Sequence, residues 1–256
     1  MRKSVFVYSF LCYLAAIIGF SSCKKKEDKP IPAVPIVGNA NVKFSYVYGA
    51  SMLPWELNKQ YIHSKTGDTM TFTMFRFFVS NIKLKRADGT WWAEPESYYL
   101  LDASSAASSN CFVSNIPDGE YTALEYTMGV DSIRNVSGAQ TGALSLQTGM
   151  FWDWNTGYIM MKAEGNSPQS STGKFALHFG GFSSTNNTVV VKTADFGKTL
   201  KIGKDNTPTI TLVANPARLW HSSPGLDSIS VIHMPGANAV RMSKDFYDNI
   251  SLSSIQ

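Results

Sequence analysis

Hydrophobic and polar residues alternate along most of the chain from residue 41 onward. In the segment 42–48, every second position is apolar: Val42, Phe44, Tyr46 and Tyr48. Lys43 and Ser45 lie between them, which is the period of two that a half-buried β-strand shows. The segment therefore predicts a strand that turns one face toward a core.

Ten further segments have the composition of short strands, and turn residues such as Pro117-Asp118-Gly119 separate them. They are 69–89 (two strands or one long bent strand), 96–104, 111–116, 120–130, 158–165, 174–182, 188–196, 198–203, 208–215 and 228–234. Many short strands with regular turns favour an all-β fold. We predict an antiparallel β-sandwich of the Greek-key, immunoglobulin-like or jelly-roll type.

One helix is predicted near the end of the chain, over residues 237–250. Its apolar residues recur at intervals of three and four: Ala239, Met242, Phe246 and Ile250. This spacing places them on one helical face. We expect the helix to cap an open end of the sandwich.

The N-terminus resembles a bacterial lipoprotein signal. Arg2 and Lys3 precede an apolar run at 5–20 that is too short to span a bilayer comfortably, and Cys23 follows. We predict a signal peptide at 1–22 and lipidation of Cys23; the alternative is ordinary cleavage near Ser22. A proline- and lysine-rich tether at 23–40 would then connect the lipid to one domain at 41–256.

The charge balance argues against nucleic acid as a partner. Six of the 23 Lys and Arg residues and two of the 19 Asp and Glu residues lie within 1–40, which leaves 17 of each sign in the remaining body. The membrane is the partner that the lipid anchor predicts. Of the three cysteines, only Cys111 falls in the body, where we expect it to pack as a small hydrophobe.

The sequence shows no sign of catalysis, and we predict that the protein is not an enzyme. It has no phosphate-binding glycine loop, no nucleophile elbow and no metalloprotease motif. Its main candidates for metal ligands are four histidines: His63, His178, His221 and His233. Alternation along 174–179 places His178 opposite the apolar face of its strand. Met234, a soft thioether, follows His233. An alternative interpretation of His63 and His221 is that they are ordinary surface residues.

The segment 149–165 contains a tryptophan pair, Trp152 and Trp154, beside Asp153 and Asn155. One interpretation is that the two rings plug an end of the sandwich. A second is that they, or Trp91-Trp92, stack on sugar rings in a carbohydrate-binding lipoprotein.

Calcium is a weaker hypothesis for two loops. Hard oxygen ligands are offered by Asp131, Ser132 and Asn135 in one loop, and by Asp153 and Asn155 in the other. Neither loop has the EF-hand spacing. Turn capping by the Asp and Asn side chains is the interpretation that we favour.

Several segments together resemble the MbnP-like family of copper-binding bacterial envelope proteins. They are FRFFVSNIKL (75–84), GVDSIRN (129–135), MFWDWNTGY (150–158), HFGG (178–181) and SVIHMPG (230–236). The resemblance implies a periplasmic or outer-membrane copper-binding domain. Together with the predicted lipid anchor, and with no clear acidic export signal after Cys23, it leads us to expect an outer-membrane protein that faces the periplasm and acquires or stores copper. It also implies a di-haem peroxidase-like partner protein.

The resemblance ranks the candidate copper ligands. It implies that His178 is the strand histidine of the family site, with His63 and His233 as further ligands and with Trp152, Trp154 and Met234 as other candidates. Relatives that carry a tryptophan oxidised to kynurenine place it two residues before the strand histidine, where this chain has Ala176. A kynurenine-dependent site is therefore not expected. A non-metal interaction module or carbohydrate-binding module, with a degenerate copper site, remains the alternative.

Overall fold

The computed structural model describes residues 36–153 and 155–256. The predicted signal peptide, Cys23 and Trp154 lie outside the described residues. Fifteen strands and two α-helices are found in the described part of the chain. The strands are β1 (Val37–Tyr48), β2 (Leu53–Pro54), β3 (Gln60–Ile62), β4 (Thr69–Arg86), β5 (Trp91–Ala93), β6 (Tyr98–Asp102), β7 (Asn110–Pro117), β8 (Gly119–Met128), β9 (Phe151–Asp153), β10 (Gly157–Asn166), β11 (Lys174–Gly180), β12 (Val190–Ile202), β13 (Thr209–Ala214), β14 (Val231–Ile232) and β15 (Ser251–Ile255). The helices are α1 (Ser132–Asn135) and α2 (Ala237–Tyr247).

The strands form two sheets, and the predicted all-β sandwich is confirmed. The larger sheet has the order β12-β8-β4-β10-β11-β14, with β3, β5 and β6 paired to β4 and β9 paired to β10. The smaller sheet has the order β15-β13-β1-β2, with β7 paired to β1. Most pairs are antiparallel, as predicted, but β1 runs parallel to β13 and β11 runs parallel to β14. A parallel pair needs a long crossover connection, and the long stretch of chain between the two strands supplies it in both cases.

One strand begins earlier than the sequence pattern predicts, and the alternative of one long bent strand from residue 69 is confirmed. β1 begins at Val37, so part of the segment 36–40 that was predicted as tether belongs to the sheet, where Gly38 opposes Ile116. The segment from Thr69 is one long strand, and Asn81 lies in it with a positive φ of 52° at a shift of register. This break lets the strand bend and pair with several neighbours.

The main core lies between the sheets and is rich in aromatic rings. The predicted C-terminal helix is confirmed as α2, and its Phe246 packs edge-on against Phe75 and Phe77 of β4, with ring centroids 5.4 and 5.8 Å apart. Cys111 is a buried free thiol in this core, as expected. β15 follows α2 and was missed, because Leu252 and Ile255 are the only strongly apolar residues of its short sequence.

A second, smaller hydrophobic cluster lies apart from the main core. Its buried members are Phe78, Val130, Leu144, Met150, Tyr158, Ile159 and Met160. Trp152 is partly buried against this cluster. Within the described residues, no helix is long and apolar enough to cross a membrane.

Candidate metal site

β11 presents one apolar and one polar face, as its alternation predicts. Phe175, Leu177 and Phe179 are buried, whereas Ala176 and His178 are only partly buried on the opposite, outer face of the sheet. The side chain of His178 keeps 11% of its surface exposed. His178 is therefore on the face of the sheet where a ligand can reach it.

The parallel pairing of β11 with β14 brings a second histidine to this point. Ala176 is paired with Val231, and Leu177 is paired with Ile232. Continuing this register by one residue places His233 beside His178, on the same face. The two imidazole rings are 4.7 Å apart between centroids and meet edge to face at 68°.

A carboxylate on the neighbouring strand holds one nitrogen of His178. The distance from Nε2 of His178 to Oε1 of Glu164 is 2.7 Å. Because an ionised carboxylate only accepts hydrogen bonds, Nε2 carries the proton and donates it. The lone pair of the neutral ring is therefore on Nδ1.

The surroundings of His178 keep the ring neutral. Burial is the main cause that lowers the pKa of His178 below its ordinary value, and the nearby Lys162 and His233 lower it further. The hydrogen bond and the negative charge of Glu164 raise the pKa and oppose these effects only in part. A neutral imidazole is the form that binds transition metals.

A row of charged residues crosses the outer face next to the histidine. Lys162 of β10 lies directly opposite His178 on one side and opposite Arg76 of β4 on the other. Arg76 forms an ion pair with Asp102, with Nε and Oδ2 2.6 Å apart. Lys162 donates to the carbonyl oxygen of Gly149 at 2.8 Å. The positive charge nearest the site is thus Lys162, and Glu164 offsets it.

Trp152 packs beside Gly180 of β11, and Met234 follows His233 in the chain. A side chain at Gly180, two residues after His178, would overlap the Trp152 ring, so this ring occupies the space over that end of β11. Met234 follows His233 and is 69% exposed. Among the residues that the structure describes, no three side chains of His, Cys, Asp or Glu form a complete metal site. The arrangement therefore supplies two imidazoles and leaves further ligands to be recruited.

His63 is not brought to this pair. It follows β3, whose Ile62 pairs with Thr69, whereas His178 is aligned through Lys162 with Arg76. Thr69 and Arg76 are seven residues apart along β4, which separates the two positions by about 23 Å. His63 is also buried, with Nε2 2.8 Å from the carbonyl oxygen of Ala217 and Nδ1 accepting from the Thr66 amide at 3.1 Å. Neither nitrogen is free for a metal in this arrangement.

His221 lies near His63 rather than near the candidate site. Both line a small cavity together with Lys65 and Arg218. Nδ1 of His221 is 3.4 Å from a guanidinium nitrogen of Arg218, and its carbonyl oxygen accepts from the Lys65 ammonium at 2.6 Å. His221 therefore lies beside two positively charged side chains, Lys65 and Arg218.

The polar residues of 129–135 tie the second cluster together. Asn135 is buried and donates to the carbonyl oxygens of Val130 and Asp131, at 2.8 and 2.9 Å, while it accepts from the Tyr158 amide at 2.9 Å. The Asp131 carboxylate accepts from Tyr98 at 2.6 Å, from Asn81 and from a backbone amide of α1. These contacts give the loop a structural role, in line with the capping interpretation of its Asp and Asn side chains.

The second loop considered for calcium is also built by turn capping. Oδ1 of Asp153 accepts from the amides of Asn155 and Thr156, each at 2.8 Å, and from the Thr156 hydroxyl. Together with the contacts of Asp131, this arrangement matches the capping interpretation. Among the described residues of the two loops, the Asp131 carboxylate, Oδ1 of Asn135 and Oδ1 of Asp153 are engaged in these internal hydrogen bonds.

The tryptophans of β5 do not form a joint platform for a sugar ring. Trp91 is 42% exposed, whereas Trp92 packs against the main core. Neighbouring residues of a strand point to opposite faces. Trp91 alone is therefore available for stacking on this strand.

Glu164 and Lys162 are the site residues that sequence analysis missed. Alternation along β10 places both on one face, and this signal was available in the segment 158–165. Their distance from His178 depends on the pairing of β10 with β11, which no local pattern encodes.

Comparison with known proteins assigns the chain to a family. The MbnP family model matches residues 37–234. Among solved structures, MbnP from Methylosinus trichosporium is similar, with 17% sequence identity and a TM-score of 0.49 over 78% of this chain and 82% of that chain. No curated protein matches the chain. Because the family model spans well over half of its residues, the chain belongs to the MbnP family.

Proposed function

We propose that this protein binds copper and that His178 and His233 supply the first two ligands. Membership of the MbnP family, which is linked to copper, supports the choice of metal. The observation that carries the proposal is the contact between the two imidazole rings, 4.7 Å apart between centroids at the edge of the larger sheet. Imidazole nitrogen is a good ligand for copper.

The donor set fits Cu(I) better than Zn(II). Zinc takes four ligands in structural sites, and two imidazoles fall short of that number. Cu(I) accepts low coordination numbers and soft ligands, and the exposed thioether of Met234 follows His233 directly. Lys162 lies directly opposite His178, and its positive charge repels a divalent ion more strongly than a monovalent ion.

The cellular setting remains a prediction from the N-terminus and the family resemblance. In this proposal Cys23 carries the lipid, the tether holds the domain off the outer membrane on its periplasmic side, and the protein acquires or stores copper without catalysis of its own. A di-haem peroxidase-like partner is part of the same prediction. Ala176 stands where relatives carry the modified tryptophan, so copper binding here would use unmodified side chains.

Titration of the protein with Cu(I) against a chromophoric chelator tests the proposal. We expect near-stoichiometric binding by the wild type, and a loss of affinity of at least about tenfold in His178→Ala and in His233→Ala. His221→Ala is the matched control, since it removes an exposed histidine elsewhere, and it should bind as the wild type does. Equal affinity in all four proteins would contradict copper binding at this pair. A non-metal interaction module or carbohydrate-binding module would then be the better description.

A further inference from the structure

We propose that Glu164 is a positioning residue, which fixes the tautomer of His178 so that Nδ1 is the atom presented to copper. This inference rests on the proposed copper-binding function. It adds a residue from a third strand to the two histidines, and it assigns the metal to one specific nitrogen.

The strand register explains how Glu164 reaches the histidine. Lys162 is the residue directly opposite His178, while Glu164 lies two residues further along β10, opposite Ala176. The methyl side chain of Ala176 leaves room for the longer carboxylate to lean diagonally along the strands. Diagonal neighbours of this kind are within reach of long side chains. The 2.7 Å contact between Oε1 and Nε2 is the result.

Glu164 has no competing cation among the described residues. Among those residues, its carboxylate is paired with the His178 imidazole alone, as the acceptor of the Nε2 hydrogen bond. The ammonium of the neighbouring Lys162 is directed to the carbonyl oxygen of Gly149 instead. The carboxylate is 32% exposed and is therefore partly shielded from water, which strengthens its hold on the imidazole N–H.

A carboxylate in this place has two consequences for a metal. It holds the ring in one tautomer and one orientation, so the ring does not have to change tautomer or rotate before Nδ1 binds the metal. It also raises the basicity of the ring and offsets part of the charge of the ion. Loss of such an outer carboxylate typically costs 10–100-fold in metal affinity.

The experiment combines imidazole ¹⁵N NMR with Cu(I) titration of the wild type, Glu164→Ala and Glu164→Gln. Glu125→Ala is the matched control, because Glu125 is also a partly buried strand glutamate whose carboxylate is paired, among the described residues, with one side chain, that of Lys83. In the metal-free wild type we expect His178 to be protonated at Nε2, and in Glu164→Ala we expect a mixture of tautomers. Addition of Cu(I) to the wild type should shift Nδ1.

The affinities complete the test. We expect Glu164→Ala to bind Cu(I) roughly 10–100-fold more weakly, Glu164→Gln to fall between it and the wild type, and the control to be unchanged. An unaltered tautomer in Glu164→Ala, or a copper-induced shift at Nε2 of the wild type, would overturn the inference. The tautomer of His178 is measured in the metal-free protein. A wild type that fails to bind copper would therefore refute the proposed function, while the NMR spectra would still show whether Glu164 fixes the tautomer.

Discussion

His178 and His233 lie side by side because two strands far apart in the chain run parallel at the edge of one sheet. β14 continues the register of β11, and the rings meet at 4.7 Å between centroids. Parallel partners in register share a sheet face, so both imidazoles project from the outer surface. A two-residue strand therefore decides whether the protein has a pair of metal ligands or two isolated histidines.

The free energy of unfolding should fall at acid pH through His63. Burial lowers the pKa of His63 below its ordinary value, and the same holds for the pKa of His178. Below about pH 6.5 the unfolded chain binds more protons than the folded chain, which reduces stability as the pH falls toward the lowered folded pKa. Urea unfolding at neutral and mildly acidic pH measures this effect.

The variant His63→Ala separates the contribution of His63. At neutral pH it should lose about 1–3 kcal/mol, because the carbonyl oxygen of Ala217 and the amide of Thr66 lose their partner. Its free energy of unfolding should also fall less than that of the wild type when the pH is lowered. An identical pH dependence in the variant would show that His63 is not a source of the acid sensitivity.

Replacement of Asn135 should destabilise the loop that supports the second hydrophobic cluster. Its side chain makes three hydrogen bonds to backbone groups and is 1% exposed. Asn135→Ala leaves buried polar groups unpaired, so we expect a loss of about 2–3 kcal/mol in thermal or urea unfolding. Ser132→Ala, an exposed substitution in the same helix, is the control. A loss in Asn135→Ala no larger than in the control would refute the structural role.

A methyl group at Gly180 should displace Trp152. The added carbon would overlap the indole ring and lie 2.9 Å from the carbonyl oxygen of Tyr158. We expect Gly180→Ala to lose about 1–3 kcal/mol and to change the tryptophan fluorescence. Gly119→Ala is the control, since a methyl group there meets its neighbours at 3.8 Å or more. Unchanged fluorescence in Gly180→Ala would contradict the position of the ring.

Removal of the charge of Lys162 should help divalent ions more than Cu(I). Lys162 lies directly opposite His178 in the sheet. Coulomb repulsion scales with the charge of the ion, so Lys162→Met should increase Zn(II) affinity a few-fold and Cu(I) affinity by less. Lys198→Met, an exposed charge change on β12, is the control. Metal-binding calorimetry compares the three proteins, and an equal gain for both ions would argue against electrostatic selection.

The sequence predicted the sandwich, the C-terminal helix and the outward direction of His178, because each follows from a local period of two or 3.6 residues. The partners of His178 could not be predicted in the same way. Glu164 and His233 reach it through the register of β10 and β14 with β11, which is set by long-range packing. His63 shows the converse: its residue type suits copper, but its burial and hydrogen bonds became visible only with the fold.

The most direct test of copper binding at the pair is imidazole NMR of the protein as one equivalent of Cu(I) is added. The chain has four histidines, so each ring can be assigned with a single variant. We predict that the resonances of His178 and His233 shift together and saturate at one equivalent, while those of His63 and His221 stay in place. Shifts centred on His63 or His221, or no saturable shift at His178 and His233, would contradict the account.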